Sequence, residues 1–481
     1  LPEGDDDRAR RVPVLRRFIV ACAQGRLSAL ERALRGYKLT PLKKKNPAKV
    51  RPIGCGEPLV KLVDNAWLAY LRGSAALRKR LRPYQYASNL KSGLESLGVS
   101  LALDIAKAPG NKVVKRDAVN FFNRLCRSFL ICAAFAIDAA FGQYVQVKLS
   151  VRTEYTWFTS TEESGFRTFA TLLGTVQGGS LGFLLGSLAT ADPLRAWAAV
   201  MRSVAGLEVP GHESLADLEA DPSFHPAVLA AARKWLVDND TEFQRFSSII
   251  AAQGSSPPTS SRAFADDQTT HVHPAGVELA ESLQDVLFEP TGAVFGGERE
   301  VLSPAEDGEG GMVVAGQPLW AAQIIDRDSD GAICFGLGAD EWLRENCLKP
   351  AQRSLAFALA GLQEVWECRA RGRPTLRCVL EALRVCVRQR FAHFARWFPP
   401  HIAREALHHA HRGILNFVRY LAGWSDLHFF NDAHIEGLAL ELAIPLRFGG
   451  AGAAPLPGFA EPAYVAAWLD AAAVIADDRS I

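Results

Sequence analysis

The chain has 481 residues, 48% of them hydrophobic and 22% charged, with a formal net charge of +2; that composition reads as a soluble globular protein with core enough for two or three subdomains. No basic-then-apolar leader opens it, and charge or glycine interrupts every long apolar run, so neither secretion nor membrane spanning is expected. The nine cysteines (22, 55, 126, 132, 334, 347, 368, 378 and 386) are odd in number, scattered and free of any CxxC, which reads as reduced thiols of an intracellular protein, nuclear or cytoplasmic, without a zinc knuckle. An opening Leu1 in place of Met fits a segment of a longer polyprotein.

The small net charge conceals a segregation. Residues 1–130 carry 27 Lys and Arg against 10 Asp and Glu, residues 131–340 carry 11 against 28, residues 341–420 carry 14 against 6, and the remainder 2 against 8. Two basic flanks around an acidic centre suit a polyanion held on either side of a metal site, since cationic side chains neutralise phosphate while carboxylates recruit cations. The same blocks also suit plain solvated surface.

In chain order, residues 1–84 form a basic region. Val14, Leu15, Phe18, Ile19 and Cys22 recur at helical spacing among arginines, predicting a helix with one basic face. Two short extended runs between Leu39 and Ile53 flank an Asn46-Pro47 turn, with Lys43, Lys44, Lys45, Lys49 and Arg51 on them. A helical pattern follows from Glu57 to Leu71.

Residues 85–335 hold the acids. Val113 and Val114 lead into Asp117, and a helix-compatible run follows from Arg124, so Asp117 should stand at the carboxyl end of a strand, where ligands tend to bind. Gln177-Gly178-Gly179 reads as a loop running into an apolar helix. Residues 203–261 look like an acidic surface insertion with a helix from Pro226 to Leu236 and a Pro/Ser-rich end. Ala263 to Val272 then alternates in polarity around Asp266-Asp267, which predicts a β-hairpin with the acid pair at its turn. Adjacent carboxylates repel and stay ionised together only if water or a hard cation neutralises them.

Residues 340–424 are rich in Ala, Leu and Arg with helical periodicity, broken near Arg371-Gly372-Arg373-Pro374 and Pro399-Pro400, so about three helices are expected there. His401, His408, His409 and His411 read as a wet helix face, because no Cys or carboxylate set completes a metal site. Residues 425–481 form a tail with a helix from Pro462 to Ala476.

Three of these motifs in this order resemble the palm of reverse transcriptases, closest to those of non-LTR retroelements. Asp117-x-x-Asn120-x-Phe122-Asn123 is similar to motif A, Gln177-Gly178 to motif B and Phe264-Ala265-Asp266-Asp267 to motif C. Gln85-Tyr86-Ala87 resembles the segment that precedes motif A. The resemblance implies an α+β right-hand polymerase core, with fingers in 1–84, palm in 85–335 and helical thumb in 340–424. It implies an RNA-directed DNA polymerase with two Mg²⁺ ions, or Mn²⁺ in their place, held by Asp117, Asp266 and Asp267. Its partners would be an RNA template, a DNA or RNA primer and dNTPs.

By the same resemblance Lys44 and Arg51, seven residues apart, grip the triphosphate, Phe122 underlies the nucleotide sugar and selects dNTPs, and Gln177 with Gly178 faces the templating base. Two departures stand out. Gly292 occupies the position of a lysine that protonates pyrophosphate in the family, and Arg116 replaces an apolar strand residue. They favour an alternative, a catalytically inactive retroelement-derived nucleic-acid-binding protein. A third reading, an RNA-templated RNA polymerase, is opposed by Phe122 and by the absence of a Gly-Asp-Asp turn.

Overall fold

The computed structural model describes residues 36–43, 50–88, 93–150, 152–158, 166–204, 213–252, 260–303, 311–314, 317–320, 325–327, 333–335, 344–367, 376–383, 400–421 and 460–480, with isolated positions in 13–24, 387–398 and 456–458. Two compact units divide the chain, one of residues 1–97, 107–301 and 478–481 and one of 98–106 and 302–477. The basic helix expected around Val14 to Cys22 lies outside the described residues, apart from isolated positions.

The first unit opens with β1 (Gly36–Lys43) and β2 (Val50–Gly56), an antiparallel hairpin that pairs Leu42 with Arg51 and Pro41 with Pro52. Proline cannot donate to a ladder. Pro52 accordingly lies on an edge strand, and Pro41 lies beyond the three residues that pair on the far side of β1. Helices α1 (Pro58–Leu71) and α2 (Ala75–Leu81) follow. Pro58 starts α1 where a missing N–H is harmless, and Val63, Trp67 and Leu71 turn its apolar stripe to the core.

In chain order α3 (Gly93–Lys107) follows, its residues 98–106 belonging to the second unit, and then β3 (Lys112–Ala118), the short α4 (Phe121–Arg124), α5 (Arg127–Phe135) and α6 (Ala139–Leu149). Strands β4 (Thr153–Phe158) and β5 (Phe166–Thr171) complete a four-stranded sheet in the order β2-β1-β4-β5, with β4 parallel to β1. The central helix is α7 (Gly182–Arg202), buried along almost its whole length. Nineteen of its residues are buried, so it needs partners on every side.

Residues 213–252 supply some of those partners, as α8 (Leu215–Ala220), α9 (Pro226–Asp238) and α10 (Asp240–Ala252). Leu218, Val228, Trp235, Phe243, Phe246 and Ile250 join the same hydrophobic core as α7. The expectation of a surface excursion is thereby corrected. Its acids had suggested solvent, but Glu213 and Asp221 receive the buried Arg195 at 2.5 and 2.9 Å, and Asp192 beside them receives Arg80 at 2.5 Å.

The unit closes with β6 (Ser260–Phe264), β7 (Asp267–Val272), α11 (Val277–Phe288) and β8 (Phe295–Leu302). A second sheet runs β6-β7-β3-β8, and α7 meets α11 through a Trp197 indole N–H donated to the Ala280 carbonyl at 3.0 Å.

The second unit has two small antiparallel pairs, β9 (Gly311–Val314) with β10 (Gln317–Trp320) and β11 (Ile325–Arg327) with β12 (Ile333–Phe335). Its helices are α12 (Lys349–Glu367), α13 (Leu376–Ala382), α14 (Pro400–Leu421) and α15 (Ala460–Ser480). On α14, Ile402, Ala406, Ile414 and Leu421 lie on the buried stripe while His401, His408 and His409 are exposed, as their spacing predicts. Among the described residues no helix is long and apolar enough to cross a membrane.

Two expectations follow from residues 213–252. Trp235→Ala should cost about 3–5 kcal/mol in chemical unfolding, as for other core tryptophans; a change below about 0.5 kcal/mol, as at ordinary surface positions, would mark the segment as peripheral. Burial alone would raise the Asp221 carboxyl, but hydrogen bonds from Ser223 and Arg195 outweigh it and lower the pKa to about 2. Because the folded state favours the carboxylate, its stabilisation is present above the ordinary value of 3.8 and fades as pH falls through about 2. The melting-temperature gap between wild type and Asp221→Asn should therefore be full at pH 6 and close across that acid window.

Candidate active site

The antiparallel ladder between β3 and β7 pairs Val113 with His271, Lys115 with Thr269 and Asp117 with Asp267. On the other side of β7, Phe264 of β6 pairs with Asp267, so the hairpin is joined by the two residues Ala265 and Asp266 alone. Directly opposed residues project to the same face with Cβ atoms about 4.5–5.5 Å apart. Asp117 and Asp267 thus stand side by side at one end of the sheet, with Asp266 in the adjoining turn. Asp117 is exposed, and Asp266 and Asp267 are partly so.

The opposite face of the sheet is bolted to α11. Arg116, one residue from Asp117 and so on that face, donates to the Glu281 carbonyl and the Gln284 Oε1, both at 3.2 Å, and to Asp285 Oδ1 at 2.7 Å. Its guanidinium also lies 4.7 Å from the centre of the Phe295 ring. Gln284 in turn donates to Thr270 Oγ1 at 2.6 Å and Ser261 Oγ at 3.1 Å. Arg116 is therefore an anchor of the sheet that carries the acids, and its oddity in the strand has a structural cause.

Gln177 and Gly178 form a turn seated on β2. The Gly54 N–H donates to the Gln177 carbonyl at 2.8 Å. Gly178 has φ 92°, and a Cβ there would lie 2.6 Å from Ile53 Cγ2, so glycine is required by conformation and by space. Buried Arg127 steadies the preceding loop from below, donating to the Gly174 carbonyl at 3.0 Å, the Leu173 carbonyl at 3.3 Å and Thr153 Oγ1 at 2.8 Å. Neither Arg127 nor Gly54 was legible as a support of this loop, because nothing local in the sequence marks a contact across dozens of residues.

Arg51 lies in β2, the same strand that receives the Gln177 turn three residues on, while Lys44 lies outside the described residues. Phe122 sits in the hydrophobic core with 8% of its surface exposed, edge-on to Phe121 at 5.2 Å and to Phe183 at 5.7 Å. The ring that stands open in this cluster is Phe183, 53% exposed.

Gly292 has φ 79°, and a Cβ on it would fall 2.6 Å from the Arg124 carbonyl oxygen. The backbone closes after a short turn in which the Gly292 N–H donates to the Glu289 carbonyl, and the Cys126 N–H reaches the Thr291 carbonyl at 2.7 Å. A lysine in this position would be strained whatever its side chain did.

For a hard divalent cation the donor chemistry is right: three carboxylates at one end of a sheet, two of them facing each other as like charges that a cation would relieve. Among the described residues no group of three or more His, Cys, Asp and Glu side chains is placed so that it could hold a metal ion.

No family model matches the chain, and no curated protein matches it. Solved structures that resemble it include telomerase from Candida albicans in complex with a TWJ fragment of telomeric RNA, at 11% identity and a TM-score of 0.36, covering 83% of this chain and 61% of that one. The corresponding complex from Candida tropicalis has 11% identity, a TM-score of 0.34 and coverage of 85% and 65%. Apo telomerase from Candida tropicalis has 11% identity, a TM-score of 0.35 and coverage of 84% and 68%. The chain spans about three fifths of the first of these.

Gly292→Lys should lose about 1–3 kcal/mol of stability, the range for a side chain held in a sparsely populated backbone region, and should not raise any catalytic rate. Thermal unfolding would check this; a variant as stable as wild type would show that the turn can rearrange around a lysine.

Proposed function

We propose that this chain is a template-directed nucleotidyltransferase, an RNA-directed DNA polymerase that adds dNTPs to a primer 3′ hydroxyl on an RNA template. The observation that carries the reading is the ladder register that sets Asp117 against Asp267 with Asp266 in the adjoining turn. Asp117, Asp266 and Asp267 would hold two Mg²⁺ ions, which activate the primer hydroxyl and stabilise charge on the triphosphate and its leaving group. The residues do the positioning. Arg116 and Gln284 keep the sheet from shifting against α11, so the carboxylates keep their places. The Gln177–Gly178 turn, pinned to β2, offers a close backbone approach to a templating base. Arg51 and Lys44 would meet the triphosphate, and a retroelement origin of the non-LTR kind, with a nuclear or cytoplasmic setting, belongs to the same reading.

Phe122 is proposed to select dNTPs by closing the floor beneath the sugar, in contact with Phe183. A second reading, an inert nucleic-acid-binding protein, is favoured by Gly292, whose backbone leaves no place for the family's lysine. Loss of one acid catalyst slows such chemistry by roughly 10²–10⁴-fold, which leaves transfer slow rather than absent.

Primer extension on an RNA template with Mg²⁺ and dNTPs tests the proposal. Wild type should extend, Asp117→Asn and the Asp266→Asn, Asp267→Asn double variant should fall to background, and NTPs should not replace dNTPs. Extension with NTPs instead would establish an RNA polymerase. If no protein extends while all bind the duplex with steep salt dependence, the inert reading holds.

A further inference from the structure

The turn between β6 and β7 is held in an unusual conformation. Ala265 has φ 57°, a left-handed conformation that residues with a Cβ adopt rarely. Its N–H donates to Gln85 Oε1 at 3.0 Å, and the same oxygen accepts the Ala87 N–H at 3.0 Å. Gln85 has no exposed surface.

The orientation of the Gln85 amide follows from the next bond out. Its Nε2 donates to Thr190 Oγ1 at 2.6 Å, and the Thr190 hydroxyl donates its single proton to the Ser187 carbonyl at 3.0 Å. With that proton committed, Thr190 can only accept from Gln85, so the amide must present NH₂ to Thr190 and oxygen to Ala265. Backbone bonds lay the segment along β6 independently: Tyr86 N–H reaches the Ala263 carbonyl at 2.9 Å, and Ala263 N–H reaches the Tyr84 carbonyl at 2.8 Å. Those two bonds hold the strand; the Gln85 side chain holds the turn beyond it.

We propose that Gln85, oriented by Thr190, is a positioning residue for the carboxylate turn, fixing Ala265 and thereby the places from which Asp266 and Asp267 project. The inference rests on the polymerase reading for its consequence in catalysis, though not for its consequence in the turn. An amide suits the task because one group must accept two N–H bonds and donate a third in a site closed to water. Hydrophobic replacement would leave the buried Ala265 N–H and the part-buried Ala87 N–H without this acceptor.

The test compares wild type with Gln85→Ala, Thr190→Val and Thr190→Ser by amide hydrogen exchange, melting temperature and single-nucleotide addition. Gln85→Ala and Thr190→Val should speed exchange at the Ala265 amide while the β3–β7 ladder amides keep their protection. Both should lower the addition rate at saturating dNTP by roughly 10–100-fold, the scale of an ångström-sized misplacement, with KM for dNTP unchanged. Thr190→Ser, which keeps the hydroxyl, should retain Ala265 protection. Should Gln85→Ala fail to fold, Thr190→Val carries the same comparison. Undiminished protection of Ala265, or a loss of protection shared by the whole ladder, would overturn the proposal. If the wild type adds no nucleotide, the polymerase reading falls, and exchange at Ala265 still decides what Gln85 does.

Discussion

The register between β3 and β7 is the constraint on which the rest depends. Because side chains alternate along a strand, a slip of one residue would carry Asp117 to the helix face and Arg116 to the open end, separating the acids and burying a charge. The register is defended from behind. Arg116 and Gln284 can reach their partners on α11, Thr270 and Ser261 only when Asp117 faces Asp267. Two like charges opposed across a ladder are an unfavourable pair, so packing elsewhere has to sustain an arrangement that the acids themselves resist.

That packing is unusually enclosing around α7. The helix is met by α2, α4, α5, α8, α9 and α11, and its buried charges are matched in place: Asp192 with Arg80, and Arg195 with Glu213 and Asp221. Breaking one partner of such a pair leaves an uncompensated charge in the interior, which typically costs several kcal/mol. The acidic stretch is thus tied into the unit by Arg195, which its Glu213 and Asp221 neutralise. Glycine works at shorter range, at Gly178 under the β2 backbone and at Gly292 against the Arg124 carbonyl, where any side chain would push two segments apart.

How much of this was legible varies from element to element for physical reasons. The hairpin at Asp266 shows in the sequence because alternation of polarity is a local signal, and helix α14 shows because Ile402, Ala406 and Ile414 repeat at helical spacing. The proline-bearing hairpin of β1 and β2 was read, but its extension by β4 and β5 was not, since parallel pairing to a strand more than a hundred residues away leaves no local trace. Residues 203–261 look from their acids like a surface insertion, whereas the apolar stripe through Val228 and Trp235 is the stronger fact. Arg116 looked anomalous only because its partners lie on a helix that follows it by more than 160 residues.

The order of the acids, the hairpin, the glycines and the helical periods were determined by the sequence itself, because each depends on residue type and near-neighbour spacing. Tertiary structure alone decided which acid faces which, that Phe122 is covered and Phe183 open, that the Gly292 turn excludes a lysine, and that Gln85 closes on Ala265. Each of these is a contact between segments distant in the chain, where position is set by the packing of the whole unit.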